Sequence, residues 1–283
     1  MYVFKAAVIG AGTMGAEIAQ VISWSGLPVV LKDIDRTLLD RGMAQARSIY
    51  QRRVDRGKMT PDEAEAKLAL ITPTLSYDEL KDADFVIEAV PEKMELKKAV
   101  FAELDEACQS TAILASNTSA LSISEMAAAT RRPDRVVGVH FFFPASVMKL
   151  VEVIAGAKTS EETMDTAVEF VESLRKIPVR VKECPGFLVN RVLLAAMRQA
   201  LVFHEETGET PQAIDAAIKE GGGVPMGPFT LADTLGLDIV LEVCRTLQAA
   251  YGPRFSATPS LERLVAEGKL GAKRGQGFYQ YSG

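Results

Sequence analysis

The stretch "KAAVIGAGTMGAEIAQVIS", Lys5 to Ser23, is the segment on which the fold turns. Its first residues form a short apolar run of the kind found in buried parallel strands, and that run stops at Gly10. Further glycines follow at Gly12 and Gly15, and an apolar pattern of helical period starts at once. A strand that turns directly into a helix presents the helix N-terminus, with its unpaired N–H groups and partial positive charge, to whatever lies above the turn. Gly10 suits the tight turn, Gly12 the close approach of a pyrophosphate to the backbone, and Gly15 close helix–strand packing. Ala11, Thr13 and Met14 complete the loop. A glycine triplet alone also fits a flexible surface turn, but between a strand and a helix it is expected to bind a dinucleotide.

The next strand pattern, "PVVLKDID", delivers an acid at Asp33, where a carboxylate can bind the adenosine ribose hydroxyls and repel a 2′-phosphate. This favours NAD over NADP. Lys32 and Arg36 flank Asp33 and could tolerate a phosphate, and Asp35, one step past the strand, ranks second as the ribose acid.

Outward from the loop, short β-branched runs alternate with amphipathic helical stretches. The runs "DFVIEAV", "TAILASN", "RVVGVHFFF", "KLVEVIAG" and "IPVRVKE" continue the series, the pattern of βαβ units. The expected class is α/β: a Rossmann-type, doubly wound, mostly parallel sheet. Residues 36–71 read as a helical hairpin inserted after the second strand, its second helix running through "PDEAEAKLALI". Thr60 with Glu63, and Ser122 with Glu125, have capping-box spacing, and Pro61 suits a first helical position. After "KECPGF" the strand signal ends and helical periods take over, so Pro185 and Gly186 mark a change of domain. The division expected is a dinucleotide-binding domain over residues 1–183 and an all-α domain over residues 184–283.

Composition narrows the partners. The 283 residues are 48% hydrophobic and 24% charged with a net charge of -5, so no general basic field exists to attract nucleic acid. Cys108, Cys184 and Cys244 lie far apart and lack metal-site or disulfide spacing, which suggests free thiols in a reducing cytoplasm. No metal is expected. No apolar run approaches the roughly 18 residues of a membrane span, and the first residues enter a strand pattern at once, so no leader is expected.

One of two histidines, His140, is set into the apolar run "VVGVHFFFPASVMKLVEV". If "RVVGVHFFFP" and "MKLVEVIAG" are strands joined around Pro144, His140 and Glu152 are polar groups on otherwise apolar faces that can meet. A carboxylate on one ring nitrogen would fix the tautomer and leave the other for proton transfer. The alternative is a buried ion pair or a histidine bonded to backbone. The other histidine, His204, fits a helix end beside Glu205 and Glu206 and carries no expected chemistry.

The loop Gly10-Ala11-Gly12-Thr13-Met14-Gly15 together with "ASNTSALSISE", "GVHFFFPASVMKLVEV", "CPGFLVNR", "GGVPMGPFTLAD" and "GQGFYQY" resembles the L-3-hydroxyacyl-CoA dehydrogenase family, close to its short 3-hydroxybutyryl-CoA members. The likeness implies an NAD-dependent enzyme that interconverts 3-hydroxyacyl-CoA and 3-ketoacyl-CoA, with a helical domain that forms a homodimer. By motif it implies His140 as catalytic base, Glu152 as its orienting acid, and Ser119 near both cofactor and substrate. It implies Asn190 at the reacting centre and Glu92, Lys97 and Lys273 at the cofactor. For coenzyme A the family uses the hairpin, where Arg52, Arg53, Arg56 and Lys58 form a basic cluster. The family's serine and lysine there fall on Ile49 and Arg56, so only the basic contact is kept. Phe143 replaces an asparagine usual before the proline, which removes a hydrogen bond and adds apolar bulk beside the reacting centre. Relatives of this architecture that act on free hydroxy acids, and crystallin-like NAD-binding proteins without turnover, are the competing readings.

Overall fold

The computed structural model describes residues 2–281. The chain divides into two compact units, one ending at Glu183 and one beginning at Cys184.

The first unit follows the order β1 (Ala6–Ile9), α1 (Thr13–Ser25), β2 (Val29–Lys32), α2 (Arg36–Asp55), α3 (Pro61–Leu68), β3 (Ile71–Thr74), β4 (Phe85–Glu88) and α4 (Met94–Ala107). It continues through β5 (Ile113–Ser116), α5 (Ile123–Ala127), β6 (Val136–Phe141), β7 (Leu150–Ala155), α6 (Glu161–Ser173) and β8 (Ile177–Lys182). Among the described residues these strands form one sheet in the order β3-β2-β1-β4-β5-β6-β7-β8. Only β6 and β7 are antiparallel. Every residue of β1, β2, β4 and β5 is buried, as expected of central parallel strands covered on both faces. The order reverses between β1 and β4, which opens the crevice where such sheets take their ligands.

One strand escaped the sequence reading. The helix expected through residue 71 ends at Leu68, and Ile71–Thr74 then pairs in parallel with β2 at the sheet edge. With one buried residue in four and a proline at position 73, β3 has no alternation to read. Pro73 is tolerated because an edge strand has a side with no ladder to complete.

Helix starts are set by local chemistry. Asp35 caps α2 by accepting from the Leu38 N–H at 2.9 Å, so the acid ranked second for the ribose has a structural task. Thr60 and Glu63 form a reciprocal capping box ahead of Pro61. Ser122 accepts from the Glu125 N–H at the start of α5.

The second unit contains α7 (Val189–Thr207), α8 (Pro211–Gly222), α9 (Pro228–Leu235), α10 (Leu237–Tyr251) and α11 (Pro259–Ala266). Two buried aspartates lock it. Asp215 accepts from the N–H groups of Phe229 and Thr230 and from the Tyr279 hydroxyl; Asp233 accepts from the N–H groups of Phe278 and Tyr279 and from the Tyr281 hydroxyl. A Cβ on Gly227 would stand 2.4 Å from Asp215, and one on Gly277 2.1 Å from Asp233. The motifs "GGVPMGPFTLAD" and "GQGFYQY" are therefore packing devices of this unit. No helix among the described residues is long and apolar enough to cross a membrane.

Candidate active site

Each glycine of the loop has a distinct physical reason. Gly10 takes φ +99°, and a Cβ there would meet the Ala89 carbonyl at 2.7 Å, just past β4. A Cβ on Gly15 would lie 1.8 Å from the Gly10 carbonyl, so α1 can pack on β1 only without one. A Cβ on Gly12 would meet nothing within 4 Å. The protein itself does not require glycine there, whereas a ligand seated against the backbone would. Gly12, Thr13 and Met14 line an open cavity of about 590 Å³ that continues past Asp33, Ile34, Tyr77 and Val90.

Asp33 stands at the mouth of that cavity. Its carboxylate accepts from the Ala11 N–H at 2.7 Å and from the Ile34 N–H at 2.7 Å, which fixes the end of β2 against the glycine loop. Oδ1 also accepts from the Asp35 N–H at 3.3 Å, whereas Oδ2 accepts from Ala11 alone and keeps a further acceptor direction for a ribose hydroxyl. The flanking cations are turned to other partners. The Lys32 ammonium lies 3.8 Å from the Tyr77 ring centre and burial lowers its pKa, while Arg36 pairs with Asp40. Cavity, helix N-terminus and ribose acid together fit a dinucleotide without a 2′-phosphate.

At the same end of the sheet, β6 and β7 bring His140 and Glu152 into register as directly opposed residues. Nδ1 of His140 and Oε2 of Glu152 are 2.8 Å apart, with the histidine 6% and the glutamate 0% exposed. The Phe142 ring lies 4.5 Å from the imidazole at a tilted angle. Phe143 is 62% exposed, so the ring against the histidine is Phe142 and the expected bulk of Phe143 beside it is not found. The strand stops at Phe141, whose N–H is held by the Asn117 side chain at 2.9 Å.

Glu92, Lys97 and Ser119 meet around a group the sequence reading missed. Glu88, fully buried at the end of β4, accepts from Lys97 at 2.6 Å, from the Ser116 hydroxyl at 2.7 Å and from the Val90 N–H at 2.7 Å. Lys97 is 1% exposed and also pairs with Glu92 at 3.3 Å. Glu92 in turn accepts from the Thr118 hydroxyl and from the Ser119 N–H at 2.9 Å. Lys97 thus lies beneath the surface, and Glu92 is the exposed member of the pair. The signal was present: a glutamate inside the apolar run "FVIE" has to be paired.

The hairpin cations are not one cluster. Arg53 lies over the Trp24 ring at 4.1 Å, Arg52 donates to Ser48, and Arg56 ends α2. In the second unit, Asn190 sits in the first turn of α7, and Lys273 pairs with Asp238 at 2.5 Å. His204 faces the Glu209 carbonyl near the end of α7. Among the described residues no cluster of His, Cys, Asp and Glu could hold a metal ion.

Comparison with known proteins agrees along the whole chain. Residues 5–184 match the NAD binding domain of 3-hydroxyacyl-CoA dehydrogenase, and residues 186–281 match its C-terminal domain. The chain is 42% identical over 279 residues to a 3-hydroxybutyryl-CoA dehydrogenase of Clostridioides difficile, covering 98% of this chain and 99% of that one. It is 41% identical over 275 residues to a probable 3-hydroxybutyryl-CoA dehydrogenase of Bacillus subtilis, covering 97% and 96%. The crystal structure of an (S)-3-hydroxybutyryl-CoA dehydrogenase from Ralstonia eutropha superposes with a TM-score of 0.95 at 39% identity, covering 100% of both chains. A glycine loop fitted to a dinucleotide, a ribose acid at Asp33 and full-length matches to both domains lead to one conclusion: the chain belongs to the 3-hydroxyacyl-CoA dehydrogenase family and is an NAD-dependent oxidoreductase.

Proposed function

We propose that this protein interconverts an L-3-hydroxyacyl-CoA and the 3-ketoacyl-CoA, with short chains such as 3-hydroxybutyryl-CoA preferred. The observation that carries the reading is the buried His140–Glu152 contact of 2.8 Å, at the sheet end that also holds the glycine loop. With Nδ1 donating to Glu152, Nε2 of His140 acts as the base. It takes the 3-hydroxyl proton in oxidation, and in reduction the protonated ring returns it to the keto oxygen. Glu152 stabilises the imidazolium that forms meanwhile. NAD, when bound, supplies the hydride acceptor at carbon 3.

Ser119 and Asn190 are assigned hydrogen bonds to the developing alkoxide or the thioester carbonyl. The glycine loop, Asp33, Glu92 and Lys273 are assigned to NAD, with Lys97 acting through Glu92. Arg52, Arg53 and Arg56 are assigned to the coenzyme A phosphates, with guanidinium groups suited to such anions. A homodimer formed through the helical unit and a reducing, cytoplasmic setting belong to the same reading. The latter is supported by the unpaired Cys108, Cys184 and Cys244.

The test is an assay of acetoacetyl-CoA reduction with NADH, repeated with NADPH and with free acetoacetate. Turnover of roughly 1–1000 per second is expected for the thioester with NADH. Free acetoacetate should react at least about a hundredfold more slowly, since binding energy from the remote nucleotide would be lost. Equal rates for the thioester and the free acid would overturn the coenzyme A assignment.

A further inference from the structure

Helix α7, which carries Asn190 in its first turn, starts without a side-chain cap. Its N-cap residue is Leu188, which offers no acceptor, whereas Asp35, Thr60 and Ser122 each fix a helix start with a side-chain oxygen. A strained turn precedes it instead. Gly186 takes φ +74° and Phe187 φ +46°, a left-handed pair whose second member is a bulky residue, 1% exposed. Among the described residues only Arg175 shares this backbone region without being glycine. A residue of this size stays there only where its surroundings over-determine it, and such outliers gather at functional sites.

The turn is closed from within and gripped from α10. The Phe187 N–H donates to the Cys184 carbonyl at 2.9 Å, and the Cys184 thiol donates to the Phe187 carbonyl at 3.6 Å. The Arg191 N–H donates to the Gly186 carbonyl at 3.2 Å, which joins the turn to the first helical residues. On α10, Leu247 and Tyr251 lie one helical turn apart, and both meet this segment. A Cβ on Gly186 would stand 2.5 Å from the Leu247 side chain, so turn and helix are in close contact. The Tyr251 hydroxyl donates to the Pro185 carbonyl at 3.1 Å, and the Arg191 guanidinium lies over its ring at 4.1 Å. Arg191 follows Asn190 directly. One side chain thus holds the segment on both sides of Asn190, by a carbonyl before the strained pair and by a cation after it.

We propose that Tyr251 is a positioning residue for Asn190. It fixes the strained turn and Arg191, and through them the first turn of α7 from which Asn190 is to meet the reacting oxygen. The link to Asn190 rests on the proposed reaction; the fixing of the turn does not. A hydrogen-bond donor helps a developing alkoxide only if it is already in place, since a donor that must reorganise gives back most of its benefit. A strained turn held by a distant tyrosine supplies that fixed placement where a cap is missing.

Tyr251→Phe keeps the ring and its contact with Arg191 and removes only the hydroxyl, whereas Tyr251→Leu removes both. In Tyr251→Phe, amide hydrogen exchange at Phe187 and Arg191 should quicken about tenfold, with the first unit unchanged. Turnover of acetoacetyl-CoA with NADH should fall about threefold in Tyr251→Phe and about tenfold in Tyr251→Leu, with NADH affinity unchanged. In an Asn190→Ala background the same Tyr251 changes should alter turnover by less than about twofold, because the group they position is gone. Unchanged exchange at both amides in Tyr251→Phe overturns the fixing of the turn. A loss of turnover as large without Asn190 as with it overturns the link, as does wild-type turnover in Tyr251→Leu. Should Tyr251→Leu not fold, Tyr251→Phe carries the same comparison. A wild-type protein inactive on acetoacetyl-CoA would sink the proposed reaction instead, and the exchange measurement, which needs no substrate, would still decide whether Tyr251 holds the turn.

Discussion

His140 lies in a setting where imidazole is expensive to bury, and the cost is met by one carboxylate directly across the strand pair. Replacing it with glutamine keeps much of the shape and removes the titrating nitrogen. His140→Gln should therefore bind NADH as the wild type does, measured by nucleotide fluorescence, while turnover falls by roughly 100- to 10,000-fold. Turnover within a few fold of wild type would remove His140 from its assigned role. Phe143 belongs to the same short segment but is mostly exposed, so its effect should fall on what lies outside the histidine pocket. Phe143→Asn is expected to change KM across acyl chain lengths more than the turnover number; identical profiles would make the residue ordinary surface. The glutamates differ in legibility. Glu152 could be placed opposite His140 by strand alternation, whereas the partners of Glu88 come from α4 and β5 and carry no common spacing.

Among the elements, α2 has a part that helix propensity alone would misjudge. Gly42 lies inside this helix, where alanine is ordinarily better by about 1 kcal/mol. A Cβ there would stand 2.6 Å from the Ala11 carbonyl, a backbone atom of the glycine loop. Overpacking of this kind costs about 1–3 kcal/mol, so the clash wins. Gly42→Ala should lower the melting temperature and weaken NAD binding several-fold by pushing the loop toward its ligand, whereas a gain in stability would show that α2 can shift freely. A second device ties α4 to the segment before β6. Asp105 is 4% exposed, which by itself would raise its pKa, but bonds from Arg131 and Arg132 outweigh burial and hold it below the ordinary 3.8. A carboxylate depressed in the folded state adds stability at neutral pH that disappears as pH falls through its folded value. The melting temperature should decline on acidification below about pH 5, and Asp105→Asn should lower the neutral-pH value and flatten that decline. A parallel decline in both proteins would mean that other carboxylates govern it.

For the whole molecule, the helical unit leaves Val192, Phe203 and Ile239 exposed at 60%, 46% and 53%. Apolar side chains of this size, together with the proposed dimer, lead to an expected solution mass of twice 30.6 kDa by light scattering. A monomeric mass at micromolar concentration would refute the dimer. The two buried aspartates also bear on the interpretation of motifs at this scale. Quoted as strings, "GGVPMGPFTLAD" and "GQGFYQY" carry the family likeness as strongly as the glycine loop does. Folded, they close the second unit on Asp215 and Asp233. Likeness in sequence therefore marked the family without separating ligand-facing residues from packing ones.

What the sequence determined by itself is whatever depends on local order along the chain. The strand–glycine–helix turn, the acid at Asp33, the capping of α3, the succession of strands and the change to helices after residue 183 rest on period, turn chemistry and short-range hydrogen bonds. Those interactions act between residues close in sequence, so a string can display them. The edge strand β3 was lost because its four residues bury too little to leave a pattern. What only the tertiary structure decided is how side chains distant in sequence share partners. Examples are Glu88 with Lys97 and Ser116, the turning of Lys32 onto Tyr77, and the parting of Arg53 from Arg52 and Arg56 toward Trp24. Burial makes each of these contacts necessary, since a charged group removed from water must find a counterpart. Which counterpart it finds is fixed by the sheet order and the packing of helices on it.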